Sequence, residues 1–164
     1  MKRIAIILIA AIISLSGTML ANAITVDDCF KEFSTARNAQ LVNVNSFLMW
    51  IAKKCAGNDA NAEIMKKIDS VRVLDLEDCS ADVKNQFTKK MSNVSLDGMD
   101  DLVNVNEDGN KVRILAKMKD DKISKLLVMC YGSGDCCLVE INGKFAINDL
   151  DGVVKSQMPK HNDR

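Results

Sequence analysis

Apolar and polar residues alternate along the C-terminal half of the chain, which is the pattern of half-buried β-strands. Four alternating stretches follow one another, at residues 102–106, 111–118, 123–130 and 136–141. They are separated by short polar segments rich in Asp, Asn and Gly, which favour tight turns between antiparallel strands. The pattern therefore predicts an antiparallel four-stranded β-meander in this half of the protein.

The N-terminal half mixes strand and helix periods. Strands are predicted at residues 40–45 and 70–76. Helical spacing of apolar residues predicts short helices at residues 27–38, 46–56, 61–68 and 147–157. A further helix is predicted to begin at Ser80, whose hydroxyl can accept from the free amides of the first turn, and to bury Phe87 and Met91. The fold class is thus α+β, with additional N-terminal strands and several short helices packed on one face of the meander.

The pairing of the strands can be predicted further. A turn centred on Ser133 and Gly134 sets Cys130 opposite Cys137. One face then collects Val112, Ile114, Ala116, Met118, Leu126, Val128, Cys137, Val139 and Ile141. These residues share a face only if the turn near Asp120 has an odd length or a β-bulge, because a slip of one residue reverses every side chain. We therefore predict an irregularity there.

The opposite face of the predicted meander has a charged rim and an apolar centre. Its centre consists of Leu115, Leu127, Met129 and Leu138. A solvated sheet face normally carries fewer apolar residues. Two interpretations follow: the predicted helix at 147–157 covers part of this face, or the four residues form a docking surface for another protein.

The first residues have the features of a secretory signal peptide. Lys2 and Arg3 precede an apolar run over residues 4–15, and Ala21-Asn22-Ala23 resembles a cleavage site. The run is too short to span a bilayer, and the first cysteine, Cys29, lies too far away for a lipoprotein site. We expect a signal peptide at residues 1–23, a single α+β domain at 24–157 and a polar tail at 158–164. The protein is then periplasmic or secreted, with no stable membrane insertion after cleavage.

All six cysteines lie in the expected mature part, namely Cys29, Cys55, Cys79, Cys130, Cys136 and Cys137. An even number in an exported chain favours disulfides, and Cys130 with Cys137 is the candidate pair. The spacing does not determine how the others connect. The alternative is a thiol redox or metal-responsive protein that uses Cys130, Cys136 and Cys137.

Composition and motifs argue against several classes of function. The 22 basic and 22 acidic residues balance, so no large positive field would attract nucleic acid. The single histidine, His161, lies at the C-terminal end, which argues against catalytic or metal sites that need histidine. The paired acids at 100–101, 107–108 and 120–121 lie in turns or at strand starts, where carboxylates are solvated. No catalytic residue, metal site or cofactor is therefore predicted.

Several segments resemble domain of unknown function family 4252, a family of small exported proteins of Gram-negative bacteria. They are Phe30 and Phe33, Val42 and Val44 leading into residues 46–49, and residues 68–74, 111–115 and 141–145. The resemblance implies an α+β domain in the cell envelope with no assigned activity. It also implies a link to signalling, because members are often found beside envelope-stress sigma factor systems.

These observations predict a non-catalytic periplasmic protein that acts as a protein-interaction or envelope-signalling module, with a protein partner in the envelope. The alternatives are the thiol redox or metal-responsive protein and a binder of a small apolar ligand near Phe47 and Trp50. The sequence does not determine the oligomeric state.

Overall fold

The structure is a computed structural model that describes residues 23–46 and 65–149. Its elements are, in chain order, α1 (Val26–Phe33), β1 (Gln40–Val44), β2 (Ile68–Asp75), α2 (Ala81–Met91), β3 (Asp100–Glu107), β4 (Asn110–Lys119), β5 (Lys122–Gly132) and β6 (Cys137–Phe145). The signal peptide, most of the helix predicted from Ser46, residues Phe47, Trp50 and Cys55, most of the 147–157 helix and the polar tail lie outside the described residues.

The strands form one antiparallel sheet in the order β1-β2-β6-β5-β4-β3. The α+β class is confirmed, and the expected four-stranded sheet is corrected to a six-stranded one. β3, β4, β5 and β6 lie side by side, but the outer side of β6 is not an edge. β2 pairs along it from Ile68 opposite Gly143 to Asp75 opposite Cys137, and β1 pairs with β2. The N-terminal strands extend the sheet because their backbone groups satisfy those that β6 would otherwise leave unpaired.

Two of the hairpin turns are tight two-residue turns with left-handed backbone. Asp108 and Gly109 have φ of 50° and 78°, and Asp120 and Asp121 have φ of 51° and 59°. Two successive residues with positive φ give the turn whose twist matches that of the flanking strands. The first turn has glycine at its second position, whereas the second turn has Asp121 there.

The predicted irregularity near Asp120 is present. Lys117 pairs with Lys125 and Met118 pairs with Ile123, so Ser124 is an extra residue on β5. The hydroxyl of Ser124 donates to the carbonyl of Lys117 over 2.9 Å. This β-bulge reverses the alternation and brings the apolar sets of β4, β5 and β6 onto a common face, as predicted.

Both helices begin at side-chain caps. Thr25 accepts from the amide of Asp28 at 3.2 Å, and the Asp28 carboxylate accepts from the amide of Thr25 at 2.9 Å. Ser80 caps α2, as predicted, by accepting from the amide of Val83. At the start of α1, the two hydrogen bonds between Thr25 and Asp28 satisfy backbone amides that have no partner within the helix.

The two helices pack against the same face of the sheet. Phe33 of α1 and Phe87 of α2 meet edge to face, with ring centroids 5.2 Å apart. The main core lies between these helices and the sheet. Its buried residues are Cys29, Phe30, Phe33, Leu74, Leu76, Cys79, Phe87, Met91, Leu115, Leu127, Met129, Tyr131, Cys136 and Leu138.

Candidate functional site

The predicted docking surface is the core face of the sheet. Leu115 is 1% exposed, and Leu127, Met129 and Leu138 are 0% exposed. They belong to the same buried cluster as Phe87 on α2. The prediction of a docking surface at these four residues is therefore wrong, because two amphipathic helices bury their aromatic side chains against this face. Among the described residues, the helices that cover it are α1 and α2.

The other face of the sheet, which the pattern assigned to the core, is less covered by the described residues. A small cluster is buried there, consisting of Ala116, Ile123, Leu126 and Phe145. Around it, Val73, Val128, Val139 and Val44 are half-buried, while Val42 of β1 and Val103 and Val105 of β3 are exposed. Both faces are thus apolar, which is why the alternation did not show which of them the helices cover.

Cys130 on β5 and Cys137 on β6 lie directly opposite each other, as the turn geometry predicted. Both are half-buried free thiols. Interaction with the Cys137 thiol lowers the pKa of Cys130 to about 7, against the opposing effect of burial. Interaction with the Cys130 thiol, together with burial, raises the pKa of Cys137. A thiol that ionises near neutral pH beside a second thiol is well placed to form a disulfide.

The other described cysteines are not part of this pair. Cys29, Cys79 and Cys136 are buried in the core beneath the helices. Burial raises the pKa of Cys29 to about 11 and also raises the pKa of Cys79. Cys136 is 0% exposed and does not join Cys130 and Cys137 as the three-cysteine alternative required. The raised pKa values make Cys29 and Cys79 poor nucleophiles.

A buried carboxylate, Glu140, lies at the centre of a charge cluster that the pattern analysis missed. Glu140 is 3% exposed. Arg72 donates to it at 2.9 Å, Lys125 at 2.8 Å and Asn142 at 3.1 Å. Burial acts to raise the pKa of Glu140, but these hydrogen bonds and the nearby cations outweigh it and hold the pKa below its ordinary value. The sequence signal was a single acid among apolar neighbours on β6, with basic residues on the two strands beside it.

Arg72 also connects this cluster to α1. Its guanidinium donates to Asp27 at 2.6 Å and lies 4.2 Å from the centroid of the Phe30 ring. Beside it is an open cleft of about 360 Å³, lined by Asp27, Phe30, Lys31, Ser34, Leu41, Asn43 and Arg72. Because Arg72 is already paired with two carboxylates, the cluster serves to hold α1 and three strands together.

Among residues 23–46 and 65–149, the metal-binding side chains do not gather into groups of three or more. No helix in the same ranges is both long and apolar enough to cross a bilayer.

The two ends of the sheet are the most exposed part of the strands. All eight residues of β3 are exposed, as are four of the five residues of β1. In the described part of the chain, neither strand has a neighbour on its outer side. Such edges present unpaired backbone amides and carbonyls that can accept another strand. The predicted strand patterns did not show which strands would lie at the ends, because that depends on pairing between distant segments.

Comparisons with known proteins give one family. The family model described as "Domain of unknown function (DUF4252)" matches residues 33–153, a span that includes every described strand. No curated protein and no solved structure matches the chain.

Proposed function

This chain belongs to the DUF4252 family, and from that premise we propose that it is a non-catalytic protein-interaction module of the cell envelope that binds through its sheet edges. The signal-peptide pattern at residues 1–23 supports export to the periplasm. The single observation that carries the proposal is the exposure of all eight residues of β3 and of four of the five residues of β1, with no neighbouring strand on the outer side of either in the described part of the chain.

Edge binding agrees with the chemistry of these strands. Strand addition takes its affinity from main-chain hydrogen bonds and its specificity from alternate side chains. β3 presents Val103 and Val105 on one face, and β1 presents Val42, all of them exposed. Neither strand contains a proline or a lysine, and the acids of β3, which disfavour pairing with another acidic edge, lie at its two ends. An extended segment with alternating apolar residues therefore fits either edge.

Placement of the charged groups favours a binding module over an enzyme. Glu140 and Arg72, the most buried ion pair, are held by structural partners on α1, β5 and β6. Catalytic acids and bases need a pocket in which a substrate can reach them. In the cleft beside Arg72, the guanidinium and the Asp27 carboxylate are already paired with each other.

Site-specific photocrosslinking in the cell envelope tests the proposal. A photoreactive residue placed at Asn43 of β1 or Asn104 of β3 is expected to give discrete protein adducts. The matched control is the same residue at Lys89, which is exposed on α2. Equal adducts from all three positions, or none from the edges, would contradict edge binding. The mature N-terminus, measured by mass spectrometry on the same material, is expected at Ile24.

A second candidate function is thiol redox sensing, and the observation that favours it is the placement of Cys130 directly opposite Cys137 on paired strands. Oxidation would join the two sulfurs in one disulfide bond. The two electrons and two protons would pass to an oxidant that contains a disulfide, which is thereby reduced to a dithiol. Counting free thiols by mass spectrometry tests this. Cys130→Ser is expected to abolish the bond and Cys136→Ser to leave it; a bond that survives Cys130→Ser would reject this pair. The metal-responsive and apolar-ligand alternatives remain predictions.

A further inference from the structure

The sequence Leu-Val-Asn-Val-Asn occurs twice in this chain, at residues 41–45 and at residues 102–106. The first copy lies on β1 and runs one residue past it, and the second lies on β3. These are the two outermost strands of the sheet. The fold has thus placed one pentapeptide at both edges, although the two copies are far apart in the chain.

The repeated valines lie on the same face of the sheet. Cross-strand partners link Val42 to Val73, Val73 to Val139, Val139 to Val128, Val128 to Ile114 and Ile114 to Val103. Directly paired residues share a face. An apolar row therefore crosses all six strands, and it reaches both edges at exposed valines, with Val42 53% and Val103 40% exposed.

The direction of the outer strands allows one copy to follow another. Neighbouring strands in this sheet are all antiparallel, and there are six of them, so β1 and β3 run in opposite directions. If β1 of one copy is placed beside β3 of the next with the same face upward, the new pair is also antiparallel. The apolar row then continues from one molecule into the other.

Charge decides between the possible edge pairs. Residues 97–108, which contain β3, include five acids (Asp97, Asp100, Asp101, Glu107 and Asp108) and no base. Two β3 strands paired about Asn104 would set Asp101 against Glu107 and Asp100 against Asp108, in both copies. Like charges directly opposite each other are destabilising. Residues 34–46, which contain β1, have no acid and include Arg37, so β1 complements β3.

We propose that this chain self-associates head to tail, with β1 of one copy pairing antiparallel with β3 of a second copy through their shared LVNVN sequence. The inference rests on the proposed edge binding and names the partner as a second copy. Pairing Asn43 with Asn104 sets Val42 opposite Val105 and Val44 opposite Val103. A shift by two residues in either direction would instead place a valine of β1 against Asp101 or Glu107. The centred register therefore gives the best match of side chains.

Head-to-tail pairing differs from a two-fold dimer in a way that can be measured. Each copy would use β1 to contact one neighbour and β3 to contact another, so the contact does not close after two molecules. Val42→Asp blocks β1, and Val105→Asp blocks β3, because each places a charge among the valines that meet at the proposed contact. Val42→Thr and Val105→Thr are the controls, since threonine keeps the branched shape and adds no charge. Both positions are exposed, at 53% and 47%, so the fold should tolerate these substitutions.

Analytical ultracentrifugation of the purified proteins is the measurement, with circular dichroism to verify folding. The wild type and the Thr variants are expected to form assemblies that grow with concentration, whereas each Asp variant alone is monomeric. An equimolar mixture of the two Asp variants is expected to form a dimer and nothing larger, because one intact β1 and one intact β3 remain.

Three results would overturn the inference. A Val105→Asp protein that still dimerises would indicate β1–β1 pairing, and a Val42→Asp protein that still dimerises would indicate β3–β3 pairing. A wild-type protein that stays monomeric at about 1 mM, well above a weak contact's dissociation constant, would exclude self-association. In that last case, edge-specific crosslinks to a different protein would leave the proposed function standing.

Discussion

Asp121 occupies a backbone conformation that glycine adopts more easily. Its φ of 59° is left-handed, and in the equivalent position of the preceding hairpin turn the chain has Gly109, with φ of 78°. A left-handed conformation costs a residue with a side chain about 1–2 kcal/mol, partly offset here because Asp tolerates it better than most. Asp121→Gly is therefore expected to raise the free energy of unfolding by about 0.5–1 kcal/mol in urea denaturation.

The reverse exchange in the matched turn is the control. Gly109→Asp is expected to destabilise the protein for two reasons. The new residue would have to adopt a positive φ, and its β-carbon would lie 3.2 Å from the Ser133 hydroxyl oxygen. If both exchanges changed stability in the same direction, backbone strain would not be the cause.

Glu140 gives the stability of the protein a dependence on pH. Its pKa in the folded protein lies below the ordinary value of 4.5, because Lys125, Asn142 and Arg72 stabilise the charged form against burial. Its contribution is thus fully present above the ordinary pKa and is lost as the pH falls through the folded value. Glu140→Gln is expected to cost on the order of 2 kcal/mol at pH 7.

Denaturation at several pH values measures this effect. The difference between wild type and Glu140→Gln should narrow as the pH falls below 4.5, because the carboxylate of the unfolded chain takes up a proton there while that of the folded protein still holds its charge. A difference that stayed constant from pH 7 to pH 3 would mean that packing, and not charge, accounts for the role of Glu140.

At the scale of elements, the two helices determine which face of the sheet is the core. Leu127 is 0% exposed beneath them, whereas its neighbour Val128 is half-buried on the other face. Leu127→Lys places an ammonium group in an apolar core without a partner, which costs several kcal/mol. We expect this variant to lose its cooperative thermal transition. Val128→Lys is the matched control and should unfold cooperatively, at a lower temperature than wild type.

The local elements could be predicted from the sequence, and their arrangement only in part. Alternation and turn residues indicated the four C-terminal strands, the bulge near Asp120 and the cap at Ser80, because each depends on residues close in the chain. The apolar pattern did not identify the buried face, since Leu127 and Val128 lie in equally apolar sets. Nor did it place β2 beside β6, because that pairing joins segments about seventy residues apart.

The candidate sites, too, could be predicted only where they depend on residues that are close in the chain. The position of Cys130 opposite Cys137 follows from one short hairpin, and the structure has that pairing. The cluster around Glu140 and the two exposed edges depend on which strands become neighbours. The LVNVN repeat was present in the sequence, but its meaning emerges only when both copies are seen at the ends of one sheet.

At the scale of the whole molecule, the two sheet edges differ in charge although they share a sequence. Natural sheets often protect their edges with charges that disfavour pairing with a like edge. The acids at the two ends of β3 disfavour its pairing with the β3 strand of a second copy, whereas β1 has no such acids. These acids thus disfavour β3–β3 pairing and make the specificity of the β3 edge depend on a few carboxylates.

Removing those carboxylates should change which edges pair. In a Val42→Asp background, where only β3 remains available, Asp100→Asn and Glu107→Gln together eliminate every like-charge contact in the β3–β3 pair. We expect Val42→Asp alone to be monomeric and the triple variant to form a dimer, and no larger species, by analytical ultracentrifugation. The control carries Glu77→Gln and Asp120→Asn instead, which change the net charge equally away from β3. If that control also dimerised, net charge would explain the association and the acidic flanks of β3 would have no specific role.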